Sequence, residues 1–363
     1  MTAAKDRRKR TTILAALVIP VLGFGAFLGY LMFQTDELER VPIEGLGEAP
    51  VAAPANPPAG DDAGTPGPGT ESSATGEAAD LPVIELGVQE QPANSRRTLL
   101  VVGTHEGTMD TIGLARINPA RELVTVLPLS PDLIVSTDGG GRLLGDFGAD
   151  RSGLVRAVRS VFDVQIDHYI EIDSPGLARM IDLSGGIAMG FETDVRDDST
   201  GFAVTRGCQD LDGAEAVALA RSRQLVSRDT SGDGWSEPEG AIARLARQAG
   251  FAPVWYAQIL AADYGRVDRL QVITDVFDDL TVDQALDPTS LANLFSMASQ
   301  IGSEGFRTIE LTGLSEASVD GHAGFTVRPN VAAAAAALLL AETQRDRNAL
   351  AALPSPSAVE LCR

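Results

Sequence analysis

Short runs of β-branched and aliphatic residues, each bounded by turn-forming or charged positions, recur at Thr98–Val102, Leu123–Leu127, Tyr169–Ile172 and Arg307–Leu311. They predict strands. Between them the apolar positions switch to helical spacing over Gly153–Val161, Pro175–Leu183, Gly213–Ala220, Ile242–Ala262 and Val331–Thr343. This mixture predicts one α/β or α+β domain over residues 95–345, with residues 346–363 left as a tail. Two helix starts are written in side chains: Asp212 with Glu215, and Ser236 with Glu239, have capping-box spacing. The first helix delivers Arg221 and Arg223 at its far end. The second places Arg244, Arg247 and Gln248 on one face.

Ahead of this domain the pattern changes twice. Lys5, Arg7, Arg8, Lys9 and Arg10 precede an uncharged run from Thr11 to Thr35 rich in Leu, Val, Ala and Phe. About 20 apolar residues span a bilayer, so residues 11–33 predict a transmembrane anchor with the basic tail, residues 1–10, in the cytoplasm. No Ala-x-Ala site follows it, so the anchor is expected to stay attached. Residues 34–94 are then dominated by Ala, Pro, Gly and acids, with too little bulky apolar surface to offset chain entropy. They read as an acidic linker holding the domain away from the membrane.

Charge removes several function classes. With 50 Asp and Glu against 29 Lys and Arg in 363 residues, the formal charge is -21. Nucleic acid is therefore not an expected partner, because duplex binding needs a basic face. The only lysines are Lys5 and Lys9, so nothing beyond them can form a Schiff base or serve as a P-loop lysine. Cys208 and Cys362 are the only cysteines. Both fall on the predicted outer side, where an oxidising compartment favours a Cys208–Cys362 disulfide, a constraint of roughly 5 kcal/mol by loop entropy.

Clustered arginines invite an anion. Forked guanidiniums side by side repel unless acids or a phosphate sit between them. Taken alone, the arginines are equally compatible with a solvated face or internal salt bridges. In combination with VFDVQIDHYIEIDSPGLARMIDLSGGIAM, CQDLDGAEAVALARSR and ARLARQ, however, the order of segments resembles the LytR-CpsA-Psr family of membrane-anchored cell-wall ligases. The resemblance covers roughly Thr98 to Arg328. It implies an αβα sandwich with a central mixed β-sheet flanked by helices, and a deep apolar groove for a polyprenyl chain. It also implies transfer of a glycopolymer from a polyprenyl (pyro)phosphate carrier to peptidoglycan, with Mg²⁺ assistance.

The resemblance carries over unevenly. The family's Arg-x-Arg falls on Arg221-Ser222-Arg223, and its Arg-x-x-Arg-Gln on Arg244-Leu245-Ala246-Arg247-Gln248, which implies pyrophosphate binding by these residues and a catalytic role for Arg221 and Arg223. Its Arg-Ser-Asp-Thr becomes Thr108-Met109-Asp110-Thr111, keeping the metal-binding acid as Asp110. A Gly-Ser-Asp becomes Gly103-Thr104-His105, and a Pro-Arg-Asp becomes Ser130-Pro131-Asp132. One carboxylate and two arginines of the amino-terminal half are thus replaced. Two expectations follow: a divergent transferase, or a non-catalytic module that binds lipid-linked glycan or scaffolds wall enzymes.

Overall fold

The computed structural model describes residues 38–48, 96–228, 234–236, 240–261 and 277–353. Its centre is a seven-stranded mixed sheet built from β1 (Glu39–Val41), β2 (Arg97–His105), β3 (Thr108–Asn118), β4 (Leu123–Leu129), β5 (His168–Asp173), β6 (Leu280–Asp283) and β7 (Phe306–Thr308). The spatial order is β1-β6-β5-β2-β3-β4-β7. β2 lies antiparallel to β3 and parallel to β5, and β4 is antiparallel to β3 and parallel to β7.

Period-two alternation sends the two faces of these strands into separate cores. Leu100, Val102, Ile112, Leu114 and Leu127 face one way, against Leu154 and Val158 of α1 (Arg151–Phe162). Leu99, Ile117, Val124 and Ile170 face the other way. α2 (Ser174–Leu183), α3 (Gly213–Arg221), α4 (Ala241–Ala261) and α5 (Pro288–Ser299) follow in the chain. Leu291 and Leu294 of α5 cover that second face. α6 (Pro329–Leu340) and α7 (Gln344–Ala351) return to the first, through Ala335, Leu339 and Leu350. Helices on both sides of the sheet make the αβα sandwich.

Two predicted boundaries move. Residues 38–48 fall within the expected linker, yet β1 adds to the sheet edge beside β6, and Leu38 is buried. The sequence hides this because a three-residue edge strand has no period to detect. At the other end, the helix predicted to run through Thr343 stops at Ala341, which takes the left-handed conformation, and α7 follows inside the region expected to be tail. Residues 11–33 lie outside the described residues. Among the described residues no helix is long and apolar enough to cross a membrane.

The helix starts obey their capping residues. Asp212 accepts from the Glu215 backbone N–H at 2.8 Å and Glu215 answers at the Asp212 N–H, a complete capping box for α3. Gly213 follows because a Cβ there would sit 1.9 Å from the Ala178 carbonyl oxygen of α2. Only glycine permits this crossing, and the crossing aims the far end of α3 at the sheet. Of the capping box expected for α4, Glu239 lies outside the described residues, and Ser236 does not stand at the cap position: its Oγ accepts from the Ser227 N–H at 3.0 Å and α4 starts at Ala241.

Candidate functional site

At the hairpin end of β2 and β3 the pairing register shifts between Gly103 and Thr104. A bulge re-aims the side chains beside it. Asp110, on β3 next to this irregularity, accepts from Nε of Arg221 at 2.8 Å. Arg221 is the last residue of α3, and the chain turns out of the helix at Ser222, whose backbone is extended at ψ 121°. Arg223 therefore leaves in a new direction, and its Nη1 lies 3.4 Å from Oδ2 of Asp132.

That loop is fastened from beneath. Asp197 is fully buried and accepts from the backbone N–H of Gln224 at 2.9 Å and of Ser199 at 2.8 Å. Burial works against its charge, but the Ser199 hydroxyl and these N–H groups prevail and hold its carboxyl below the ordinary range. Val226 and Ser227 then pair with Arg196 and Val195. The stretch carrying Arg221 and Arg223 is thus pinned on both sides.

Helix α4 supplies the second set of residues. Arg244 is 1% exposed, and its Nη2 donates to Oδ2 of Asp132 at 3.3 Å. Burial, followed by repulsion from Arg223, lowers its pKa. Asp132 is therefore the acid between two guanidiniums, as their mutual repulsion demands. Arg247 turns to the end of α3, donating through Nε to the Leu219 carbonyl at 3.1 Å and through Nη2 to that of Ser222. Its contacts fit a cation closing a helix carboxyl terminus.

Gln248 connects this cluster to an apolar cavity. Its Nε2 donates to the Ala220 carbonyl at 3.0 Å and to Thr111 Oγ1 at 3.2 Å, while its Oε1 is buried without a partner. Gln248 and Thr111 stand in the wall of a cavity of about 640 Å³ between the sheet and α4, whose other lining includes Val101, Val126, Ala252 and Phe295. Two polar side chains brace this wall. Trp255 donates through Nε1 to Ser184 Oγ at 2.8 Å, beyond the end of α2. The Tyr256 hydroxyl bonds to the Ala298 carbonyl of α5 at 2.6 Å. The volume falls in the usual range for a small-ligand pocket, and its lining is mostly apolar.

Asp110, Arg221, Arg223, Arg244 and Gln248 thus converge, and Arg247 secures the helix that carries Arg221. Asp132 belongs to the same cluster. Its sequence position is marked by a lost arginine, and the signal available was the need of Arg223 and Arg244 for an acid. His105 Nδ1 is buried without a partner at the tip of the same hairpin. A resident magnesium ion needs several hard oxygen ligands. Among the described residues no three His, Cys, Asp or Glu side chains converge, and Asp110 and Asp132 are already paired with arginines. This donor set does not fit a magnesium ion held by protein alone. Cys208 sits exposed on a strand, Gly207–Leu211, opposite Gly190 of Ile187–Phe191, and Cys362 lies outside the described residues.

Fold and site together define an αβα protein whose apolar cavity is joined to an arginine cluster through Gln248. The LytR_cpsA_psr family matches residues 80–334, and the chain belongs to that family. The polyisoprenyl-teichoic acid–peptidoglycan teichoic acid transferase TagU of Halalkalibacterium halodurans is 27% identical over 180 residues, 47% of this chain and 58% of its own. Among solved structures, the LytR-Csp2A-Psr enzyme from Actinomyces oris superposes with a TM-score of 0.56 at 24% identity, covering 68% of this chain and 90% of that one. TagT bound to LIIa-WTA gives 0.53 at 16%, covering 70% and 92%. These structural likenesses carry the αβα fold. The chain spans about half the length of the curated relatives it matches.

Proposed function

We propose that this chain is a membrane-anchored transferase that moves a glycopolymer from a polyprenyl (pyro)phosphate carrier to a hydroxyl of peptidoglycan. The observation that carries the reading is the continuity from apolar cavity to arginine cluster through Gln248. An isoprenoid tail fits the cavity, and its phosphates then meet Arg221, Arg223 and Arg244. Phosphoryl transfer needs charge neutralised on the transferring group and donor and acceptor held in line. Guanidiniums already fixed by Asp110 and Asp132 supply that without reorganising. Arg247 acts as a positioning residue, holding the end of α3. The unpartnered Gln248 Oε1 offers an acceptor to a ligand hydroxyl or a protonated phosphate oxygen. The anchor is proposed to be a single pass with residues 1–10 cytoplasmic, and Cys208 to pair with Cys362.

The test is transfer by the full chain in detergent, from a polyprenyl-pyrophosphate oligosaccharide to peptidoglycan, with and without Mg²⁺ and with Arg221→Ala as control. Product formed by the wild type and lost in the variant supports the transferase. A second reading, a binding module without turnover, draws on the pairing of both nearby carboxylates with arginines. It predicts retention of the carrier lipid with no product under any metal condition.

A further inference from the structure

A second cavity, of about 400 Å³, lies at the opposite end of the sheet from the cluster just described. Arg121, Leu123, Arg307, Arg347, Leu350 and Ala351 line it. β4 begins there at Leu123 and ends beside Ser130 and Asp132, so the two sites are separated by about 20 Å of strand at 3.3 Å per residue. One phosphate headgroup cannot reach both.

Three half-buried arginines on one concavity need an explanation in a chain with 50 acids and 29 bases. None of the three makes an ion pair among the described residues. Each is fixed by neutral acceptors instead. Arg121 donates to the Ala341 carbonyl. Arg307 donates to the Phe306 carbonyl at 2.7 Å, and Arg347 to the Glu342 carbonyl at 2.6 Å and to Gln344 Oε1 at 2.7 Å. Carbonyls hold the guanidiniums in place and leave their charge standing. Two of the nearby acids are turned elsewhere: the Glu342 carboxylate faces Arg96 at 3.8 Å, and Asp346 closes the first turn of α7 with Thr343. Arg307 Nε is buried with no acceptor at all.

A buried donor without a partner is costly, and like charges facing one concavity repel. Both costs fall if an anion with several oxygens sits among the three forks, since each guanidinium keeps N–H groups beyond those given to carbonyls. We propose that this cavity is an oxyanion site for a phosphate group, distinct from the cluster around Asp132. The phosphate belongs either to free phosphate in solution or to a phosphodiester of a polymer chain. Both place the same oxygens against the same arginines.

The test uses the full chain in detergent micelles and an arginine-selective dicarbonyl reagent, with modification read by peptide mass spectrometry. Inorganic phosphate is expected to slow modification of Arg121, Arg307 and Arg347 by about tenfold, and a soluble glycerol phosphate oligomer to do so at lower concentration if the polymer is the source. By calorimetry in an Arg221→Ala background, which weakens the first site, Arg307→Gln with Arg347→Gln should cost about tenfold in phosphate affinity. Modification rates unaffected by either probe would overturn the proposal. So would undiminished affinity in a double variant that melts like its parent. Should that variant not fold, protection in the unaltered chain decides alone.

Discussion

Nε of Arg221 and Oδ2 of Asp110 meet at 2.8 Å across 111 positions of sequence, joining the end of α3 to the bulged hairpin of β2 and β3. The pair is partly buried, with 28% and 16% of the two side chains exposed. On the proposed function the pair orients the arginine: Asp110 occupies Nε, and the outer nitrogens of the fork are left for phosphate. Arg221→Ala is expected to lower turnover about 10²- to 10³-fold, the usual cost of one preorganised donor. Asp110→Asn keeps a neutral acceptor at the same place and should cost less, because the arginine retains a partner. A steady-state assay of both variants checks the order.

Arg244 and Arg247 are neighbours on α4 with different tasks, and mutation should separate them. Arg244→Ala leaves Asp132 to the half-exposed Arg223, which is expected to cost about 1–3 kcal/mol of stability as well as phosphate affinity. Arg247→Ala removes donors to the Leu219 and Ser222 carbonyls. It should lower stability by about 1–3 kcal/mol and reduce kcat while the affinity for carrier lipid changes little. Carrier binding distinguishes the two, and thermal melts check the stability of each.

Much of this was legible in the chain. β2, β4 and β5 are compact aliphatic runs, and α3 declares itself through Asp212 and Glu215. β3 was not legible, because Asp110 and Arg116 interrupt its alternation and bond to distant residues, Arg221 and Thr98. α5 is a capped helix with Asp287 at its start, but its mixed Ser, Asn and Met face blurs the apolar stripe. α7 is polar over most of its length, and Leu350 is its one buried residue. In the site, spacing put Arg244, Arg247 and Gln248 on one helix face, and only the family resemblance assigned these arginines to a phosphate. The acid shared by Arg223 and Arg244, Asp132, could not be read, since pairing over 91 and 112 positions is a property of the fold.

Asp197 gives the site a pH dependence. Its folded pKa is depressed, so its contribution is complete above the ordinary carboxylate pKa of about 4 and is lost as pH falls through the lower folded value. Between neutrality and mildly acidic pH the loop at Gln224 should stay fixed, and strong acid should release it. Asp197→Asn is expected to destabilise the protein by about 2–3 kcal/mol at neutral pH and to flatten the acid limb of the stability profile. Urea melts across pH test both; parallel profiles for the two proteins would count against this role.

The apolar cavity can be closed without touching an arginine. Ala252 lies in its wall on α4, partly buried, so Ala252→Phe places a ring in space that is otherwise empty. Filling a void costs little packing energy, and the melting temperature should hold or rise. Carrier binding should weaken by at least about tenfold, because a polyprenyl tail loses the volume it needs. Retained affinity for the long carrier, with the ring confirmed in place by crystallography, would separate the cavity from lipid recognition.

Residues 38–48 are tied to the domain, with Gly47 donating to the Ile166 carbonyl at 2.8 Å, and should be needed for its stability. Deleting residues 38–48 strips β1 from β6, removes the buried Leu38 and the apolar contacts of Ile43 and Leu46, and takes Glu48 away from Arg159. At about 25 cal/mol per Å² of apolar area, that loss amounts to several kcal/mol. Differential scanning calorimetry of this variant against the unaltered chain tests whether residues 38–48 are part of the folded sheet. Equal melting temperatures would show that β1 contributes nothing to it.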